Sequence, residues 1–186
     1  LELQLVADPV GLDPDRLVFL DETWIKTNMT RLYGWGPTDQ RVLEHVPHGH
    51  WMTTTFVGAL RSTGLVAPLV IDGALNGELF RAYVEQQLIK ALKPGDIVIM
   101  DNLPSHKVKG IEEAINSVNA YLLYLPPYSP DMNPIEQFFS KIKNEIRKRQ
   151  PRTKPECDDL CGQSLDWFRE KECRNYIRNS GYSSQE

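Results

Sequence analysis

The sequence predicts a mixed α/β domain: a five-stranded sheet flanked by helices. Three observations lead there. Short apolar runs bounded by turn residues or acids read as buried strands. Two of them are separated by the turn signal Ser62-Thr63-Gly64 and read as a hairpin. Beyond residue 76 apolar residues recur at three- and four-residue spacing, and from there helices alternate with strands.

The first strand is Leu17-Val18-Phe19-Leu20, ending at Asp21. A further strand, additional to the five of the sheet, is expected at 31–35, broken by Gly36-Pro37. The hairpin pairs 51–60 with 65–71, both rich in Thr, Val, Phe and Leu. A helix opens near Asn76, carries Leu79, Phe80, Tyr83, Val84, Leu88 and Leu92, and stops at Lys93-Pro94-Gly95. Ile97-Val98-Ile99-Met100 is the next strand and ends at Asp101. A helix over 107–118 and a strand over 121–125 follow; Pro126-Pro127 stops that strand, because proline donates no ladder hydrogen bond. Asn133, Pro134 and Glu136 spell a helix start, with a cap, a first helical position and a first-turn acid. Ile135, Phe138, Phe139, Ile142 and Ile146 form its buried face. Residues 152–158 read as loop and 159–178 as a last helix. Three antiparallel strands followed by helix, strand, helix, strand, helix is the RNase H-like order. The expected boundaries are 1–16 for an N-terminal remnant or linker, 17–150 for the RNase H-like domain, and 151–186 for a helical extension packed on it.

A chain of 186 residues suits one domain with a self-sufficient core. Its 41% hydrophobic and 25% charged content is that of a soluble globular protein. No apolar run is long enough to span a bilayer and no leader pattern opens the chain, so a bacterial cytoplasmic location is expected. The first residue is Leu rather than Met, so a longer parent chain is expected too. Cys157, Cys161 and Cys173 lack a fourth ligand and read as buried or idle thiols rather than a zinc site. His45, His48 and His50 read as loop residues. The net charge of −4 argues against a polyanionic partner, but its distribution argues for one. Lys141, Lys143, Arg147, Lys148, Arg149, Arg152 and Lys154 are opposed within their stretch only by Glu145. Such a stripe either neutralises phosphates or is a solvated helix face.

Asp21 and Asp101 each end an apolar run, and a carboxylate there is poorly solvated unless paired or metal-bound. Two adjacent strands would bring the two together at the carboxyl edge of the sheet, where ligand sites gather. Close like charges repel, and a hard divalent cation, Mg²⁺ or Mn²⁺, is the simplest remedy. Each acid also has an ordinary structural reading. The aspartates can end turns or cap helices. Glu136, three residues after Asn133, can close a capping box.

The segments FLDET at 19–23, IVIMDNLPSH at 97–106 and LPPYSPDMNPIEQFFSKIKNEIRK at 125–148 resemble the catalytic domain of the IS630/Tc1/mariner transposase superfamily, on its IS630 side. The 34 residues between Asp101 and Glu136 match the spacing of that family's Asp-Asp-Glu pattern. LYGWGP at 32–37 and ECRNYIRNSGY at 172–182 extend the resemblance to nearly the whole chain. It implies that Asp21, Asp101 and Glu136 are catalytic and hold two Mg²⁺ or Mn²⁺ ions. It implies DNA strand cleavage and strand transfer in cut-and-paste transposition, on transposon ends and a TA target. The resemblance also implies a helix-turn-helix region that reads the ends, which is expected to lie outside this chain, and a homodimeric working unit is left open. The alternatives are an RNase H-like nuclease without strand transfer and an inactive DNA-binding remnant.

Other residues are weighed beside the trio. Asn102 and His106 follow Asp101 in a family-like string; His106 contacts phosphate or moves a proton on one reading, and bonds backbone on the other. Glu22 falls on the opposite strand face from Asp21 and reads as a supporting or surface group. Lys141, Lys143, Arg147, Lys148 and Arg149 share a helix with Glu136, which favours the DNA reading of the stripe. Trp35 and Tyr128 can stack on bases, but packing is the commoner fate of such residues.

Overall fold

The computed structural model describes residues 12–182. Of the N-terminal segment read as remnant or linker, all before residue 12 lies outside the described residues. Five strands form one sheet in the order β3-β2-β1-β4-β5. β1 (Leu17–Lys26), β2 (Thr53–Arg61) and β3 (Gly64–Asp72) are antiparallel, while β4 (Ile97–Met100) and β5 (Tyr121–Tyr124) run parallel to β1. The Ser62-Thr63 turn joins β2 to β3, and Gly64 takes a φ of 144°, a value that favours glycine.

Alternation along β1 divides the core in two. Leu17, Phe19 and Ile25 face one helical layer; Val18 and Leu20 face the other. The second layer holds α1 (Gly77–Tyr83), which runs on through a π-helical turn (Val84–Leu88) to Ile89–Ala91, and α2 (Ile111–Asn116). The Asn76 carboxamide caps α1 by accepting from the Leu79 amide. The first layer holds α3 (Ile135–Arg149), α4 (Lys154–Ser164) and α5 (Glu170–Asn179). Ile135, Phe138, Phe139, Ile142 and Ile146 are all buried there, as their spacing requires. Cys157, Cys161 and Cys173 are free thiols in the same core.

Several expectations need correction. Residues 31–35 form no strand: among the described residues, 27–52 are an excursion between β1 and β2 without ladder pairing. Trp35 is fully exposed there rather than packed. The β-like composition was present, but the neighbouring strand that would pair with it was not. The helix expected over 107–118 is shorter, with a 3-10 turn at Pro104–His106 before it. The stretch 152–158 is not loop, because Thr153 and Glu156 form a capping box that starts α4 with Pro155 in the first turn. The single last helix is two, parted by a 3-10 turn at Leu165–Trp167. No helix among the described residues is long and apolar enough to cross a membrane.

Candidate active site

The parallel register pairs Leu20 with Met100, so Asp21 and Asp101 come next on neighbouring strands, at the edge where β4 ends. β1 itself continues, pairing Asp21 with Gly58 of β2, so Asp21 lies within a strand rather than after one. It is only 7% exposed. Glu136 is solvent-exposed in the first turn of α3, the helix packed across β1. The three carboxylates line one cleft of about 370 Å³, together with Asn102, Asn133 and the 125–130 connection. Tyr128 stands fully exposed at this cleft with a φ of 60°, and so is not packed as expected.

Two polar groups hold Asp21. Its Oδ1 accepts from the Glu22 amide at 2.8 Å and its Oδ2 from Asn133 Nδ2 at 3.0 Å. Asn133 is therefore not the cap of α3. That position falls to Pro134, which offers no side-chain acceptor, and no capping box engages Glu136. Burial pushes the Asp21 carboxyl up to about 8, with Glu22, Glu136 and Asp101 adding repulsion. A carboxylate so disfavoured fits a site meant to share its charge with a cation, and the donors are hard oxygens suited to Mg²⁺ or Mn²⁺. Among the described residues no three His, Cys, Asp or Glu side chains already stand as a closed metal cluster.

Behind the cleft, two carboxylates flank a buried imidazole. His106 is wholly buried, with Nε2 3.0 Å from Glu22 Oε2 and Nδ1 2.5 Å from Asp101 Oδ1. The Asp101 contact is close but off-axis, so Nδ1 makes no aligned hydrogen bond. Phe80 stacks on the imidazole at 4.3 Å, and the Tyr124 hydroxyl donates to the His106 carbonyl at 3.0 Å. Burial opposes the imidazolium, but Asp101 and Glu22 outweigh it and push His106 up to about 9. The buried imidazole thus bridges Asp101 to Glu22 on the opposite face of β1. Glu22 supports the site from that face, where strand alternation put it.

The basic stripe splits. At about 100° per residue, Lys143 and Arg147 fall on the Glu136 side of α3, and Lys141, Lys148 and Arg149 do not. Lys143 is half-buried; burial holds its ammonium below the usual lysine range, although Glu136 and Asp21 pull the other way. Lys141 pairs with Glu172 at 2.8 Å and bonds the Trp167 carbonyl, which ties α3 to α5. Lys148 and Arg149 both pair with Glu145. Arg31, Tyr33, Arg147 and Lys148 line a second, shallow cleft farther along α3. His45, His48 and His50 are exposed in the 27–52 excursion, as loop residues should be.

Fold and site together define a domain of the RNase H-like class with a cleft lined by three carboxylates. A family model described as DDE superfamily endonuclease matches residues 16–158, and the chain belongs to that family. The solved structures it resembles carry the same fold. The Mos1 strand transfer complex aligns with a TM-score of 0.72 at 16% identity, over 90% of this chain and 52% of that one. The mariner Mos1 paired end complex with Mg aligns at 0.71 and 17% identity, over 89% and 52%. The catalytic domain of Mos1 mariner transposase alone aligns at 0.62 and 16% identity, over 89% and 77%. The chain spans about half the length of the first two. No curated protein matches it.

Proposed function

We propose that this chain is the catalytic domain of a DNA transposase, which cuts a strand at a transposon end and joins the freed 3′ end to target DNA. The observation that carries the reading is that Asp21, Asp101 and Glu136 line one cleft, in a chain of the DDE superfamily endonuclease family. The strand-transfer and metal-bound paired-end complexes of Mos1 support it by analogy of fold. The three carboxylates would hold Mg²⁺ or Mn²⁺, two ions per site. When bound, the ions supply the Lewis acidity for phosphodiester hydrolysis and transesterification. The chain's own residues prepare the site. Asn133 and the Glu22 amide fix the Asp21 carboxylate, and the His106 imidazolium balances Asp101. Exposed Glu136 is free to adjust to the DNA, and Arg147, beyond it on the same helix face, attracts the phosphate backbone.

Incubation of a pre-cut 3′-OH duplex and a plasmid target with Mg²⁺ or Mn²⁺ tests this. Joined products support the transposase. Cleavage without joining indicates a nuclease, and binding without either indicates an inactive remnant.

The two faces of α3 separate in a second measurement. Arg147→Ala should weaken DNA binding on all sequences alike and reduce the slope of log K against log salt by about 1. Lys141→Ala should leave that slope unchanged, because its ammonium already serves Glu172. Equal slopes in all three proteins would remove Arg147 from the DNA path.

A further inference from the structure

Two buried side-chain polar atoms among the described residues lack a hydrogen-bond partner, and both belong to this site: His106 Nδ1 and Asn133 Oδ1. The first rests against the Asp101 carboxylate. The second has no such account. Asn133 is 3% exposed. Its amide donates to the Pro130 carbonyl at 3.1 Å, and its own carbonyl accepts from the Glu136 amide at 3.1 Å. Its Nδ2 donates to Asp21 Oδ2 at 3.0 Å, the orientation that a metal-bound, ionised Asp21 requires. Oδ1 is what remains, in a residue that lines the cleft beside the three carboxylates. Leaving such an acceptor unmet costs about 1–3 kcal/mol, so it calls for a partner.

We propose that Asn133 Oδ1 is a fourth protein oxygen of the cation site. The inference rests on the reading of Asp21, Asp101 and Glu136 as its ligands. A small hard cation held by the neighbouring carboxylates would take this carbonyl oxygen as a ligand at about 2.1 Å. An amide oxygen also suits a crowded site, since it adds a ligand without a further negative charge. Asn133 then serves the cation twice: Nδ2 steadies the Asp21 carboxylate and Oδ1 binds directly.

Titration with Mn²⁺ alone, read by the paramagnetic resonance signal of the free ion, tests this without DNA or turnover. Asn133→Leu should weaken Mn²⁺ binding about 10–100-fold, the range in which supporting groups act at metal sites. Asn133→Asp loses the donor to Asp21 but keeps an oxygen, and should bind Mn²⁺ at least as tightly as the parent. It decides the matter even where the leucine variant folds poorly. Asn133→Leu within about twofold of the parent, or Asn133→Asp weakened as much as Asn133→Leu, overturns the proposal. Asp101→Asn separates the underlying reading. If it binds Mn²⁺ like the parent, the carboxylate site itself is wrong; if it loses binding while Asn133→Leu keeps it, only the role of Asn133 fails.

Discussion

Asp21→Asn is expected to lower metal-dependent DNA cleavage by about 10³-fold or more, which is about 4 kcal/mol of lost transition-state stabilisation. The same substitution should raise the stability of the metal-free protein in mildly alkaline buffer. In the fold the Asp21 carboxyl is pushed up from 3.8 to about 8, first by burial and then by Glu22, Glu136 and Asp101. The folded state therefore holds the proton more tightly than the unfolded chain. This contribution is fully present below about pH 4, declines by at most about 1.4 kcal/mol per pH unit between 4 and 8, and is gone above 8. An uncharged amide escapes that decline and still offers an acceptor to the Glu22 amide. Parallel thermal melts at pH 5 and pH 8.5 with chelator check it: the advantage of the variant over the parent should grow with pH. Mg²⁺ or Mn²⁺ should then raise the melting temperature of the parent and leave that of the variant unchanged. A constant difference across pH, or cleavage that survives in the variant, would sink the assignment.

Asp96→Ala should destabilise the domain by about 3–5 kcal/mol, the cost of leaving one member of a buried ion pair unmatched. Arg61 ends β2 and Asp96 precedes β4; their side chains are only 7% and 4% exposed. Arg61 Nη1 donates to Asp96 Oδ1 at 3.2 Å, Nη2 pairs with Oδ2, and Nη2 also donates to the Ala91 carbonyl at 2.9 Å. Oδ2 accepts from the Lys93 amide as well. The pair thus joins the end of α1, the start of β4 and the end of β2, and so helps to set the register that carries Asp101. Urea unfolding should show the loss as a lower midpoint with unchanged slope. Replacing both residues together by apolar ones of similar size should recover most of it. If Asp96→Ala unfolds within 1 kcal/mol of the parent, the pair does not hold this corner.

Much of the fold was legible because its signals are local. The apolar runs before Asp21 and Asp101, the Ser62-Thr63-Gly64 turn and the α3 face each depend on residues within a few positions of one another. The misreadings came where a local pattern met a distant partner or lacked one. Residues 31–35 have strand composition but no strand beside them. Asn133-Pro134 looks like a helix cap, yet the Asn133 side chain is drawn to Asp21, 112 residues away in sequence. The Thr153–Glu156 capping box was fully local and was missed; Thr-x-x-Glu before an apolar stretch was the available signal.

The candidate site divides along the same line. By itself the sequence determined which residues end the apolar runs, the interval from Asp101 to Glu136, and the resemblance that turned three ordinary acids into expected ligands. It also determined the side of β1 on which Glu22 lies, because a strand alternates with period two. Only the tertiary structure decided that His106 is buried between Glu22 and Asp101, that Asn133 serves Asp21, and that Lys141 of the basic stripe ties α3 to α5. The physical reason is register. Periodicity and caps are settled within a turn or a strand, but which charge meets which is settled when β1 and β4 align Leu20 with Met100, and that alignment is a property of the packed sheet.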